Sequence, residues 1–193
     1  MDLTQGSVKE KNDRAKNMML WFGIVSLLMG FAGWTSAYIV SSEREDWASD
    51  VDLPTAFYIS TVLIIISSIS YILAKRAVVK DNQKQADIWL LVTLGLGISF
   101  IVIQFTGFSD MVAQGYYFTG PTSSIKMSYM FLIAMVHILH VVAGIISLLV
   151  VLYNQFKRKY SSQEYLGLTL GATFWHFLDL LWVYMVLFMT FMK

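Results

Sequence analysis

Three histidines and one aspartate are the ionisable residues that fall inside the long apolar segments of this sequence. His137 and His140 are three residues apart in one segment, and His176 and Asp179 are three apart in another. Residues at this spacing share one face of a helix. An ionised side chain inside a membrane costs about 2.5–3.5 kcal/mol on insertion scales, so these four residues require an explanation.

Three kinds of chemistry fit these residues. A bis-histidine haem takes one ligand from each of two helices at matched depth. At about 1.5 Å per residue, His137 and His140 lie roughly 15 and 20 Å from the outer end of their segment, and His176 roughly 14 Å from the cytoplasmic end of its own. Alternatively, Asp179 carries protons. In the third explanation Asp179 accepts hydrogen bonds from His176, a tryptophan indole or a neighbouring helix, and this polar cluster holds the last two helices together. The presence of a single acid and of no other cofactor signal favours the third.

Composition identifies the class of protein that contains these residues. Of the 193 residues, 56% are hydrophobic and only 14% are charged, against roughly 25% charged in soluble domains. This balance excludes a soluble globular fold and a disordered chain, and the net charge of +1 argues against a nucleic-acid partner. The absence of cysteine excludes disulfides, iron–sulfur clusters and thiolate metal sites. No phosphate-binding loop, nucleophile elbow or zinc-protease motif is present, so we expect no catalytic residue and no cofactor or metal site in this chain.

Five apolar segments are each long enough to cross a bilayer, which takes about 20 helical residues. The sequence therefore predicts an all-α, polytopic membrane protein with five transmembrane helices. We expect a tail at residues 1–17, followed by a single transmembrane domain at residues 18–193. The predicted spans are residues 18–40, 55–74, 88–108, 127–152 and 167–192.

The distribution of lysine and arginine predicts the orientation, because cytoplasmic segments carry the excess of positive charge. Eleven of the 14 basic residues lie in the N-terminal tail and in the second and fourth connections. The N-terminus is therefore predicted in the cytoplasm and the C-terminus outside. The other side holds Arg44, Lys126 and Lys193, and its first loop, residues 41–54, is acidic through Glu43, Glu45, Asp46, Asp50 and Asp52.

Small residues form a stripe along the first predicted span. They are Gly23, Ser26, Gly30, Gly33 and Ala37, at helical steps of three and four residues. Such a stripe allows another helix to approach closely. We expect this helix to belong to the same chain, with a second subunit as the alternative. The same expectation applies to Gly167 and Gly171 in the last span, and a serine run, Ser67, Ser68 and Ser70, is interpreted as helix packing.

Two motifs in the last two spans resemble those of subunit III of haem–copper oxidases. Residues 137–144 read HILHVVAG and residues 174–182 read FWHFLDLLW. They match the family patterns H-x-x-H-V-x-x-G and W-H-F-x-D-x-x-W, in the family's order. The resemblance covers nearly the whole chain, including residues 26–42 and Gln104. The matching motif residues are His137, His140, Gly144, Trp175, His176, Phe177, Asp179 and Trp182.

The resemblance implies the short, five-helix form of a subunit that carries no haem or copper. Such a subunit packs on the catalytic subunit I beside subunit II, binds phospholipid and helps sustain proton uptake, and its motif residues are mainly structural. The expected complex is a proton-pumping cytochrome c oxidase of aerobic respiration in a bacterial cytoplasmic (inner) membrane. A quinol:cytochrome c oxidoreductase is a further candidate partner, in a supercomplex.

Other functions remain open from the sequence. Within the resemblance, the alternatives are a subunit III of a quinol oxidase or a homologue associated with a nitric oxide reductase. Outside it, the alternative is a small membrane transporter or an assembly factor.

Two positions depart from the family pattern. Leu27 and the region of Gly107 stand where many members have glutamate. Roles of those carboxylates in proton uptake or lipid binding therefore do not carry over.

Overall fold

The computed structural model describes residues 6–45, 47, 53–120 and 123–192. The first five residues of the predicted tail lie outside this range, and so do Asp46, Asp50 and Asp52 of the predicted acidic loop and the C-terminal Lys193.

Five long helices account for most of the described residues. They are α1 (Val8–Ser41), α2 (Thr55–Val79), α3 (Gln83–Ala113), α4 (Ile125–Phe156) and α5 (Leu166–Phe191). Each is long and apolar enough to cross a membrane, and the described part of the chain contains no strand. The predicted all-α fold with five membrane-spanning helices is therefore confirmed.

Helices α1, α3 and α4 extend beyond the predicted spans at both ends, and each begins after a residue whose side chain caps it. Helix α1 begins at Val8, so the predicted boundary at residue 17 falls within it. Ser7 and Glu10 form a capping box in which the backbone N–H of Ser7 donates to Glu10 Oε2 at 2.8 Å. Such a box satisfies backbone donors that the first helical turn leaves free.

Helices α2 to α5 form a closed ring, and α1 lies outside it. In the ring α2 packs on α3 and α5, and α4 packs on the same two helices from the opposite side. Helix α1 packs against α4 and α5. Among the described residues it does not pack against α2 or α3. One face of α5 is therefore covered by α2 and another by α1.

The interior of the bundle contains two apolar clusters stacked along its axis. One includes Trp182, Phe57 and Phe100, and it lies in the half of the bundle predicted to be outer. The other includes Trp175, Tyr71 and Leu90, in the half predicted to be cytoplasmic. Trp175 and Trp182 are seven residues apart on α5, which is close to two helical turns. Both tryptophans of the family motif therefore point into the ring, one in each cluster.

Candidate functional site

His137 lies in an aromatic enclosure in the centre of the bundle. Its ring stacks on that of Trp182, with centroids 5.0 Å apart and planes 27° apart. Phe100 of α3 and Phe31 of α1 meet it edge-on at 6.0 and 6.3 Å. The side chain is fully buried, and neither ring nitrogen has a hydrogen-bond partner in the described part of the chain. The surroundings of His137 therefore support a packing role.

His140 lies one turn further along α4 and faces α1. Its Nδ1 is 2.7 Å from the carbonyl oxygen of Val136 in the preceding turn, to which it donates. Its ring meets Phe31 at 5.6 Å. Phe31 thus contacts both histidines of the α4 motif and holds α1 against α4.

Gly144 marks a close approach between α4 and α5. A Cβ atom at this position would lie 2.9 Å from Leu178 Cδ1 and 3.4 Å from Trp175 Cε3. The first distance is shorter than the usual separation of nonbonded carbon atoms, about 3.5–4.0 Å. The glycine of the H-x-x-H-V-x-x-G motif therefore makes room for Leu178 and Trp175.

The polar groups of the α5 motif bond to α2. The indole N–H of Trp175 donates to Ser67 Oγ at 3.1 Å, and that of Trp182 donates to Thr61 Oγ1 at 3.1 Å. His176 Nδ1 lies 2.6 Å from Ser68 Oγ. These three hydrogen bonds run along one interface, so they align α5 on α2.

Asp179 is buried, but neither of its carboxylate oxygens has a hydrogen-bond partner among the described residues. Ser68 lies beside it without hydrogen-bonding geometry. The expected hydrogen bonds from His176 or an indole to Asp179 are therefore not formed, and of the three expected partners only a neighbouring helix is beside it, through Ser68 of α2. The indole and imidazole groups face α2, because α2 and not α4 covers that side of α5.

The alternative of a bis-histidine pair across α4 and α5 does not match the placement of the histidines. The ring of His137 contacts Phe31, Phe100 and Trp182, whereas His176 contacts Tyr71 and bonds to Ser68 of α2. Within the described ranges, no three histidine, cysteine, aspartate or glutamate side chains are grouped so that they could hold a metal ion.

The hydroxyls on α2 are the partners that the sequence motifs did not reveal. Besides Thr61, Ser67 and Ser68, which bond to α5, two further serines bond to α3. Gln104 Nε2 donates to Ser60 Oγ at 2.7 Å, and Thr93 Oγ1 donates to Ser70 Oγ at 3.0 Å. The spacing of these residues could have predicted the pairing. Thr61 and Ser67 are six residues apart on α2, and Trp175 and Trp182 are seven apart on the antiparallel α5.

The two glycine patterns predicted from the sequence differ in outcome. A Cβ at Gly23, Gly30 or Gly33 would meet nothing within 4 Å, so the expected packing of this stripe inside the chain is wrong for these glycines. The buried face of α1 instead carries Ile24, Phe31, Thr35 and Tyr38. By contrast, Gly167 and Gly171 pack within the chain, where a Cβ would come within 2.7 Å of the hydroxyls of Tyr160 and Tyr71 respectively.

The two departures from the family pattern also have different surroundings. Leu27 is partly exposed on α1. At Gly107, a Cβ would already lie 3.1 Å from Ala56 Cβ and 3.1 Å from Phe57 Cε1. A glutamate at Gly107 would therefore require α2 and α3 to move apart.

An exposed ion pair joins the start of α1 to the connection before α5. The Lys9 ammonium donates to the Glu164 carboxylate. This hydrogen bond and the opposite charge lower the pKa of Glu164 and raise that of Lys9 from their ordinary values. The polar extension of α1 beyond its apolar segment is thereby connected to the ring.

Comparison with known proteins agrees with the motifs. A family model described as Cytochrome c oxidase subunit III matches residues 49–193. The cytochrome bo(3) ubiquinol oxidase subunit 3 of Pseudomonas aeruginosa is 34% identical over 125 residues, which cover 65% of this chain and 58% of that protein. The cytochrome c oxidase subunit 3 of Spodoptera frugiperda is 30% identical over 131 residues, which cover 66% of this chain and 82% of that protein.

A third relative aligns over almost the entire length of both chains. The cytochrome bo(3) ubiquinol oxidase subunit 3 of Buchnera aphidicola (subspecies Schizaphis graminum) is 27% identical over 179 residues, covering 91% of this chain and 93% of that protein. The aligned region spans less than two thirds of the Pseudomonas protein.

Proposed function

Because this chain belongs to the cytochrome c oxidase subunit III family, we propose that it is the non-redox subunit III of a haem–copper terminal oxidase in aerobic respiration. In this role it supports the catalytic subunit I structurally, lies in one complex with subunit II and helps sustain proton uptake. Haem and copper belong to the partner subunits, and this chain has no active site of its own.

The observation that carries this proposal is the family match over residues 49–193, which includes both motifs. The motif residues Trp175, Trp182 and Gly144 are used for helix contacts, and His137 is enclosed by aromatic rings. A transport pathway or a redox centre would instead use such side chains for a ligand. Their use in packing supports a structural subunit over a small transporter or an assembly factor.

The outward face of α1 supports a contact with other components of the complex. Large apolar side chains such as Trp21, Phe22 and Met29 are exposed there, next to the open glycine stripe. Phospholipid or a neighbouring subunit would cover this face.

The proposed location is a bacterial cytoplasmic (inner) membrane, with the N-terminus inside and the C-terminus outside. The support is the excess of lysine and arginine in the first turns of α1, around the turn between α2 and α3, and in the α4–α5 connection. Reporter fusions after Lys159 should report a cytoplasmic position, and fusions at Gly120 or Lys193 an external one. A cytoplasmic signal at Lys193 would contradict this orientation.

Cytochrome c is the proposed electron donor of the complex, in agreement with the description of the matching family model. Quinol is the second candidate, because the relatives include ubiquinol oxidase subunits. Purified complex should oxidise reduced cytochrome c, and a haem c or copper centre in subunit II would agree with that donor. Oxidation of quinol alone would favour the second candidate. A quinol:cytochrome c oxidoreductase that co-purifies would indicate a supercomplex.

Affinity purification of the full chain tests the central proposal. We expect a large haem-bearing subunit to co-purify in a fixed ratio, while the separated polypeptide gives no haem signal in a pyridine haemochrome assay. Purification as an isolated protein would contradict the subunit role, and stoichiometric haem in the separated polypeptide would contradict the non-redox role.

A further inference from the structure

A groove runs between α2 and α5 on the outside of the ring, at the end of α2 where the chain turns into α3. It is open to one side and has a volume of about 470 Å³, within the range of roughly 300–1,000 Å³ for ligand pockets. It lies on the opposite side of α5 from α1. Its walls are formed by Ile72, Lys75, Arg76, Val79 and Lys80 of α2 and by Ala172, Thr173 and His176 of α5.

Three cations border the mouth of this groove. No carboxylate in the described part of the chain forms an ion pair with Lys75, Arg76 or Lys80. The Lys75 ammonium lies 6.0 Å from the centroid of the Tyr165 ring, at the outer limit of a cation–π contact. The neighbouring Asp81 is engaged elsewhere, because its carboxylate accepts from the backbone N–H of Ser162 at 2.9 Å. The mouth therefore presents positive charge without an internal counter-ion.

Beyond the mouth the groove is mainly apolar and about as deep as one leaflet. Ile72 and Val79 are partly exposed along it. From Lys80 to Ile72 is eight residues, or about 12 Å of helix. Half of a hydrocarbon core of about 30 Å is about 15 Å. The deep end is closed by His176, whose Nδ1 is already bonded to Ser68.

We propose that this groove binds one anionic phospholipid, with its phosphate against Lys75, Arg76 and Lys80 and one acyl chain along Ile72 and Val79. The inference rests on the proposed membrane placement of the chain and specifies one lipid site within it. Two features support a lipid over other anions. A free phosphate would use only the mouth, and the acidic side chain of a protein partner would leave the apolar groove empty.

The test uses the full chain in nanodiscs of phosphatidylcholine that contain a small fraction of photoactivatable phosphatidylglycerol. The reactive diazirine is placed in the acyl chain, and cross-links are mapped by mass spectrometry. We expect cross-links at Ile72 and Thr173. The yield should be much lower when photoactivatable phosphatidylcholine replaces the photoactivatable phosphatidylglycerol. Equal yields from the two headgroups would overturn the proposal, and so would displacement of the lipid by glycerol phosphate alone.

Charge variants separate the groove from the general attraction of a basic surface. Each cation near an anionic membrane surface contributes about fivefold in binding, so the loss of all three in K75Q/R76Q/K80Q should lower the cross-linking yield by about a hundredfold. The matched control K11Q/K84Q/K157Q removes three exposed lysines from the same predicted side and should leave the yield unchanged. An equal loss in both triple variants would contradict a specific site.

Groove-filling variants test the acyl-chain position without a change of charge. T173F and I72W each add bulk inside the groove, and Ile72 is 39% exposed, so I72W should fold normally. We expect both to lose the cross-links while retaining native helix content. Unchanged cross-linking in a folded I72W variant would overturn the proposal. The oxidase role is judged independently by co-purification, so either hypothesis can fail without the other.

Discussion

Helix α1 and the ring of α2 to α5 use glycine in opposite ways. In the ring, a Cβ at Gly97 would lie 2.7 Å from Trp175, and one at Gly144 would lie 2.9 Å from Leu178. On α1, a Cβ at Gly30 would meet nothing within 4 Å. The same residue type therefore marks close packing at these two positions inside the ring and an unoccupied face on α1.

The two regions also differ in how their helices are held. Within the ring, side-chain hydrogen bonds connect α5 and α3 to the hydroxyls of α2. Among the described residues, helix α1 is held by fewer such bonds, through the Ser41 and Tyr129 hydroxyls at 3.0 Å and the Lys9–Glu164 pair, and by two aromatic anchors. Phe31 contacts the α4 histidines, and the Tyr38 hydroxyl donates to the Met192 carbonyl oxygen at 3.1 Å. This difference indicates that the ring forms a specific unit by itself, with α1 attached to its side.

Replacement of a ring glycine is expected to have the largest effect. Gly144→Leu forces a side chain against Leu178 and Trp175, and overpacking of this kind costs about 1–3 kcal/mol. The control Gly30→Leu, on the open face of α1, should not lower the free energy of unfolding of the isolated chain. Denaturant unfolding in detergent measures both. Equal destabilisation of the two variants would contradict the comparison.

Removal of an indole N–H donor tests the hydrogen bonds that connect α5 to α2. Trp175→Phe keeps an aromatic side chain but removes the N–H that donates to Ser67, at a net cost of about 1 kcal/mol for the lost hydrogen bond in addition to the packing lost with the smaller side chain. Trp34→Phe on α1, where the tryptophan is 38% exposed, is the matched control and should be neutral. A Trp175→Phe variant as stable as the wild type would show that this bond does not stabilise the ring.

Asp179 tests whether every buried polar residue of the α2–α5 ring connects two helices by a hydrogen bond. Its oxygens have no partner in the described part of the chain, so Asp179→Leu strands no donor. We expect it to be at least as stable as the wild type, because it removes a buried polar group that lacks a hydrogen bond. This differs from the loss of about 1–3 kcal/mol that the sequence motif suggests for a hydrogen-bonded carboxylate.

Activity of the assembled complex gives a second measurement on the same residue. If Asp179 is not a proton carrier, Asp179→Asn leaves proton translocation intact. Loss of translocation in a fully assembled complex would instead identify Asp179 as a proton carrier and contradict the packing role of the motif.

The smallest effect is expected at the exposed pair that connects α1 to the ring. The pKa of Glu164 is lowered by Lys9, so its stabilising contribution is present above the ordinary carboxyl pKa and is lost as the pH falls through the lowered one. At neutral pH, Glu164→Gln should therefore unfold at a slightly lower denaturant concentration than the wild type. The difference should vanish in acid and in high salt, since exposed pairs are screened. A difference that persists in acid would contradict this explanation.

The sequence alone was sufficient for the fold class, because the lengths of the apolar segments leave few alternatives. A run of about 20 apolar residues must form its backbone hydrogen bonds within itself in a bilayer, so five such runs predict five helices. The end positions were less predictable. Helix α1 begins at Val8 rather than near residue 18 because Ser7 and Glu10 cap it, and hydropathy contains no information on capping.

Within one helix, spacing also predicted which residues share a face, as it did for His176 and Asp179, which both lie beside Ser68. Only the tertiary structure decided what lies opposite each face. The α5 donors bond to α2, Asp179 has no partner among the described residues, and the glycine stripe of α1 points away from the ring. The physical reason is that helical periodicity fixes the relative direction of side chains on one helix. The choice of neighbouring helix depends instead on the combined packing of all five.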